Sequence, residues 1–199
     1  MRIGILGGTF NPPHLGHLIC AQEAYLQLAL HRVILMPAGQ PPHKTEEDDP
    51  GPGHRLELCR RAVAGDPRFE VTDLEVLREG PSYTVDSLEA LHSRMPESDL
   101  FLIVGGDVAA GLPTWHEPER VLSLATLAVA KRRGTSRTSI DRALAGIPGG
   151  ERAEFFRMPR IGISSTEIRR RVQTQVPVTY LVPDAVASYM KEHRLYGGR

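Results

Sequence analysis

The stretch Ile3-Gly4-Ile5-Leu6-Gly7-Gly8-Thr9-Phe10-Asn11-Pro12-Pro13-His14-Leu15-Gly16-His17 decides how the chain is read. Its first four residues form a short apolar run that a glycine pair ends, the pattern of a strand buried on both faces of a parallel sheet. A helix follows at once, because Leu18, Ala21, Tyr25 and Leu28 recur at spacings of three, four and three and so share one helix face.

The same alternation repeats outward from this unit. Strand-like runs recur at Val33–Met36, Leu100–Val104 and Leu127–Ala130, with weaker ones at Phe69–Val71 and Glu154–Phe156. Helical patterns fall between them at Leu56–Ala64, Val85–Leu91, Pro118–Leu124 and Ile140–Ala145. Strands alternating with helices predict an α/β fold with a doubly wound parallel sheet, right-handed crossovers and ligands at the carboxyl ends of the strands. From Ile161 onward the strands stop, and Ser165–Val172 and Ala185–Arg194 read as two helices of a small C-terminal cap. The expected division is therefore 1–160 and 161–199. Pro37 to Gly53 carries five prolines and the four consecutive acids Glu46 to Asp49, which predicts a long mobile surface loop.

Between the first strand and the first helix lies the chemistry. Gly7 and Gly8 let backbone approach a ligand with no Cβ in the way. Pro12 and Pro13 stiffen the approach to a helix whose first N–H groups have no internal partners and face any anion placed there. His14 and His17, three apart, lie on one face of the first turn, where polyphosphate charge would favour their protonated forms. The third glycine of a dinucleotide fingerprint is missing, and no Gly-Lys-Ser/Thr follows, so hydride transfer and P-loop kinase chemistry lose their usual support.

Composition narrows the rest. With 24 Lys and Arg against 24 Asp and Glu in 199 residues, the formal net charge is zero, which weighs against a general nucleic-acid binder. The two cysteines, Cys20 and Cys59, make a poor disulfide framework and read as buried thiols of a reducing compartment. No run has the length of a membrane span, and the start lacks a secretory signal, so a soluble cytoplasmic protein is expected.

A second segment, Ser164-Ser165-Thr166-Glu167-Ile168-Arg169, has an immediate structural explanation: Ser164 and Glu167 form a capping box that starts a helix. Gly80-Pro81-Ser82-Tyr83-Thr84 reads as a turn followed by a helix cap. Gly105-Gly106-Asp107 at a strand's carboxyl end suits a ribose diol.

These residues also carry a resemblance. His14-Leu15-Gly16-His17 matches the His-x-Gly-His motif of the nucleotidylyltransferase superfamily, and the run from Gly7 to Leu18 resembles that of bacterial nicotinate-nucleotide adenylyltransferases. Ile163 to Arg169 is similar to the superfamily's second signature. The resemblance implies a Rossmann-like nucleotidyltransferase fold and transfer of the adenylyl group of ATP to nicotinate mononucleotide, giving deamido-NAD and pyrophosphate. It implies that His14 and His17 act in catalysis and bind ATP together with Gly7, Gly8, Thr9 and Phe10. Gly105 and Asp107 would hold the adenosine ribose, while Ser165, Thr166 and Arg169 would clamp the triphosphate from a second helix start.

For the acceptor, the resemblance implies His43, Lys44 and Arg132 on the mononucleotide phosphate, Ser82, Tyr83 and Thr84 on the pyridine carboxylate, and Trp115 stacked on the ring. Where the family reads Arg-Pro-Gly, this chain reads Arg132-Arg133-Gly134, so Arg133 could share the task. Mg²⁺ should arrive with ATP, with no dedicated protein metal site. Nucleic acid and membrane are not expected partners, and the sequence leaves a homo-oligomer open. The rival readings are an adenylyltransferase for nicotinamide mononucleotide or phosphopantetheine, and an ATP-binding module without turnover.

Overall fold

The computed structural model describes residues 1–41, 48–131 and 136–197. In chain order the elements begin β1 (Arg2–Gly8), α1 (Leu15–Gln27), β2 (Arg32–Pro37), α2 (Pro52–Val63) and β3 (Phe69–Val71). They continue with α3 (Thr84–Arg94), β4 (Asp99–Gly105), α4 (Gly106–Ala110), α5 (Pro118–Leu124) and β5 (Ala125–Lys131). The last are α6 (Arg137–Leu144), β6 (Glu154–Arg157), α7 (Ser165–Gln173) and α8 (Asp184–Glu192).

The six strands form one parallel sheet in the order β3-β2-β1-β4-β5-β6. The apolar runs are why. Ile3 and Ile5 of β1, Val33 and Leu35 of β2, Leu102 and Ile103 of β4, and Leu127 and Val129 of β5 are buried, as strands covered on both faces require. The order reverses at β1, whose Arg2 to Leu6 pair with Asp99 to Ile103 of β4. In open α/β sheets such a reversal opens a crevice at the strands' carboxyl ends. Gly7 and Gly105 stand at those ends.

All six expected strands are present, including the two weak ones. The helices differ at their edges. Helix α2 starts at Pro52, a turn earlier than the apolar pattern indicated, because proline's fixed φ suits the first helical position. Helix α4 follows β4 directly and had no periodic pattern, being five residues long. The loop expected over Pro37 to Gly53 is shorter at both ends, since β2 takes Pro37 and α2 takes Pro52 and Gly53. Residues 42–47 of that expected loop lie outside the described residues.

The contacts gather the chain into two compact units. One comprises Met1–Gly7, Cys20–Ile34 and Tyr83–Arg160; the other comprises Gly8–Ile19, Leu35–Ser82 and Ile161–Arg199. The second unit has its own apolar core, in which Leu58 of α2 and Ile168 of α7 meet Val182 and, from α8, Val186, Tyr189 and Met190. Both cysteines are buried thiols outside any disulfide. Among the described residues no helix is long and apolar enough to cross a membrane.

Candidate active site

The site is built from the turn between β1 and α1. Phe10 adopts φ 50, a left-handed conformation uncommon for a bulky side chain, and its buried ring meets the His17 ring edge-on with centroids 5.0 Å apart. The His14 and His17 rings stack at 3.7 Å and 26°. The His14 backbone N–H donates to His17 Nδ1 at 3.2 Å, so Nδ1 carries no proton and Nε2 of the neutral ring is left as a donor. Gly16 leaves room for the stack: a Cβ there would stand 3.0 Å from Cε1 and Nδ1 of His14, tighter than ordinary contact. The glycine of the motif thus favours the close seating of the first histidine, which is 5% exposed.

Helix α7 supplies the second part. Ser164 caps it by accepting the Glu167 N–H at 3.2 Å, as the capping-box pattern predicts. The next residue reaches back to the histidine turn, with Ser165 Oγ donating to the Pro12 carbonyl at 2.9 Å. One turn on, the buried Arg169 donates from Nη1 to the Asn11 carbonyl at 2.9 Å. Leu15 N–H donates to the Leu181 carbonyl at 3.0 Å, a further tie to the C-terminal stretch. Thr166 stands exposed beside them. Arg170 and Arg171 both pair with Glu167, at 2.8 and 2.9 Å, and hold its carboxyl down at about 2. Within the second unit, then, the two signatures meet.

A residue the sequence did not single out sits at the centre of this unit. Arg55 of α2 is 0% exposed. Its guanidinium donates to Asp49 Oδ1 at 2.9 Å, to the carbonyls of Thr9 at 3.1 Å and Gly39 at 2.9 Å, and to the Ala38 carbonyl. Reading Pro52 as the first helical residue would have put Arg55 in the first turn, which was the available signal. Ser82 closes the other side of the same backbone. Its Oγ accepts the N–H groups of Gly39 and Gln40 at 3.0 and 3.2 Å, and its own N–H donates to the Gln40 carbonyl at 2.9 Å. Buried Tyr196 has its hydroxyl pKa raised by burial, with Asp49 adding to the shift.

The remaining candidates belong to the first unit. Gly7 is exposed at the end of β1. Asp107 is exposed, and its Oδ1 lies 2.7 Å from where a Cβ on Gly105 would stand, so the carboxylate folds over the end of β4. The Tyr83 ring packs on His116 with centroids 4.5 Å apart, Thr84 opens α3, and Trp115 is half-buried. His43, Lys44, Arg132 and Arg133 lie outside the described residues. Among the described residues, no group of three or more His, Cys, Asp or Glu is placed to hold a metal ion.

Residues 5–171 match the Cytidylyltransferase-like family. A protein of Bacillus pumilus named probable nicotinate-nucleotide adenylyltransferase is 39% identical over 98% of both chains. One of the same name from Roseiflexus is 43% identical over 98% of this chain and 97% of its own. The solved structure of Plasmodium falciparum nicotinic acid mononucleotide adenylyltransferase complexed with NaAD shares the fold, with a TM-score of 0.80 over 100% of this chain and 98% of that one at 17% identity. On the family match and these full-length relatives, the chain belongs to the nicotinate-nucleotide adenylyltransferase family, within the Cytidylyltransferase-like nucleotidyltransferases.

Proposed function

We propose that the protein transfers the adenylyl group of ATP to nicotinate mononucleotide, forming deamido-NAD and pyrophosphate, as a cytoplasmic enzyme of NAD synthesis. The names of its full-length relatives give the reaction. The observation that carries it is the pair of hydrogen bonds from Ser165 to Pro12 and from Arg169 to Asn11, which tie the second signature to the histidine turn. A triphosphate held there meets imidazole donors from one helix start and the free N–H groups of another.

In this reading a 5′-phosphate oxygen of the acceptor attacks the α-phosphorus of ATP in line. One P–O bond forms, the bond to the bridging oxygen breaks, and that oxygen leaves with the electron pair as pyrophosphate. The chemistry is positioning and charge stabilisation rather than covalent catalysis. His17 donates from Nε2 to the α-phosphate oxygens, its orientation fixed by the His14 N–H on the opposite nitrogen. His14, stacked on His17, contributes the second imidazole. Thr9, Phe10 and Gly8 shape the turn around the phosphates; Thr166 and the N–H groups of α7 close it, so that 161–199 completes the ATP site. Gly7, Gly105 and Asp107 take the adenosine side.

The acceptor is assigned to Ser82, Tyr83, Thr84 and Trp115, with His43, Lys44 and Arg132 or Arg133 on its phosphate. Ser82 Oγ accepts two backbone N–H groups and so shapes the loop, and its O–H hydrogen remains as a donor toward the carboxylate. The divalent ion, Mg²⁺ in this proposal, travels with the triphosphate. The described side chains do not form a cage for it, and no step is assigned to it.

The test is an acceptor screen on purified protein with pyrophosphate release as readout. Nicotinate mononucleotide should be preferred over nicotinamide mononucleotide and phosphopantetheine. Preference for an acceptor lacking the carboxylate overturns the assignment.

A further inference from the structure

We propose that Arg55 is a positioning residue that makes binding of ATP and binding of the acceptor cooperative, by joining the phosphate turn to the acceptor loop through one buried guanidinium. The inference rests on the function proposed above. Its basis is a continuous run of hydrogen bonds within the second unit. The Thr9 carbonyl, in the histidine turn, accepts from Nη1 at 3.1 Å. The carbonyls of Ala38 and Gly39, just past β2, accept from Nη1 and Nη2 of the same group. The N–H groups of Gly39 and Gln40 then donate to Ser82 Oγ, in the segment assigned to the pyridine carboxylate.

Two features make this run stiff. Gly39 is wedged against backbone: a Cβ there would stand 2.1 Å from the Glu75 carbonyl oxygen, so the loop cannot slide in that direction. Asp49 holds the far side of the guanidinium, with Nε donating at 2.9 Å. Arginine alone suits the position. Its planar fork presents donors along fixed directions to several acceptors at once, whereas a lysine ammonium radiates three donors from one point. A ligand that settles Thr9 therefore settles Ala38, Gly39 and Ser82 as well, and the effect runs equally in reverse. Asp49 and Arg55 touch no atom assigned to either substrate, so they act through the backbone they hold.

The coupling is measurable as a ratio. In calorimetric titrations, α,β-methylene-ATP is bound to the protein with and without saturating nicotinate mononucleotide, and the two Kd values are compared. The wild-type ratio should be about fivefold or more, the usual floor for coupled sites. Arg55→Lys and Ser82→Ala, each still melting cooperatively, should bring it close to one. A purely structural Arg55 would lower Tm and weaken both ligands while leaving the ratio intact, and that result overturns the proposal. So does a wild-type ratio near one. If Arg55→Lys does not fold, Asp49→Asn, which loosens the hold on the guanidinium at a residue assigned to neither substrate, decides instead: a ratio unchanged from wild type overturns the proposal. Failure of the activity assignment shows separately, as wild-type protein that releases no pyrophosphate with nicotinate mononucleotide; the ratio is then read with the acceptor that does turn over.

Discussion

The two helix starts of the candidate site, those of α1 and α7, are made differently. At α7 everything needed is local: the Ser164 hydroxyl takes the Glu167 N–H, the Ser164 carbonyl takes the Ile168 N–H at 3.1 Å, and Glu167 pairs with the two arginines that follow it. At α1 the His14 N–H goes to an imidazole, and the Leu15 N–H goes to the carbonyl of Leu181, far along the chain. The α7 start closes with groups inside its own first turn; the α1 start needs the tertiary structure around it. A locally sufficient helix start can serve as a fixed strut, and Ser165 and Arg169 use α7 in that way to hold Pro12 and Asn11. A start whose polar groups are spent on imidazoles keeps its shape only while the strut is in place, and it gains groups that can do chemistry.

The comparison breaks most visibly at His17. His17→Ala removes a donor aimed at developing charge and should lower kcat by about 10²–10³. It also strands the His14 N–H, a loss of about 1 kcal/mol, or roughly 2–4 °C in Tm for a chain of this size. Ser164→Ala is the matched control at the other helix. Losing an N-cap also costs about 1 kcal/mol and a similar Tm shift, but turnover should stay within a small factor of wild type because no group that meets substrate is removed. Differential scanning calorimetry and a pyrophosphate assay on the two variants separate stability from chemistry. Equal turnover losses in both would mean that the two starts do the same job.

What the sequence disclosed follows the same division. Everything set by local pattern was legible: the apolar runs of the six strands, the Ser164-to-Glu167 cap, and the histidine pair on one face of a first turn. What tertiary contacts set was not. Arg55 reads in sequence as an ordinary charged residue before an amphipathic helix, yet it is buried and bonded to the backbone of residues 9, 38 and 39. Arg169 and Ser165 were recognised by resemblance to a signature, but no spacing rule says that their partners are the carbonyls of Asn11 and Pro12. Gly16 is the intermediate case. Its place between two histidines suggests a low surface, and the close approach of the His14 ring gives the reason. Short-range patterns encode hydrogen bonds that close within a few residues; buried side chains that serve distant carbonyls leave no periodic trace.

The smallest expected effect tests whether α7 is self-sufficient electrostatically as well as in its cap. Arg170 and Arg171 hold the Glu167 carboxyl at about 2, below its ordinary 4.5. A folded-state value below the unfolded one means that the pairing stabilises the protein at pH above 4.5. That contribution fades as pH falls from 4.5 toward 2, where the folded protein also takes up the proton. The Tm advantage of wild type over Glu167→Gln should therefore be level from neutral pH down to about pH 5.5 and shrink on further acidification. It should be small, because the carboxylate is solvent-exposed, and smaller still in high salt. Glu167→Gln retains the backbone N–H that Ser164 accepts, so the helix start itself survives. An advantage that grew on acidification would place the stabilising charge elsewhere and remove the basis for treating α7 as a strut sustained by its own residues.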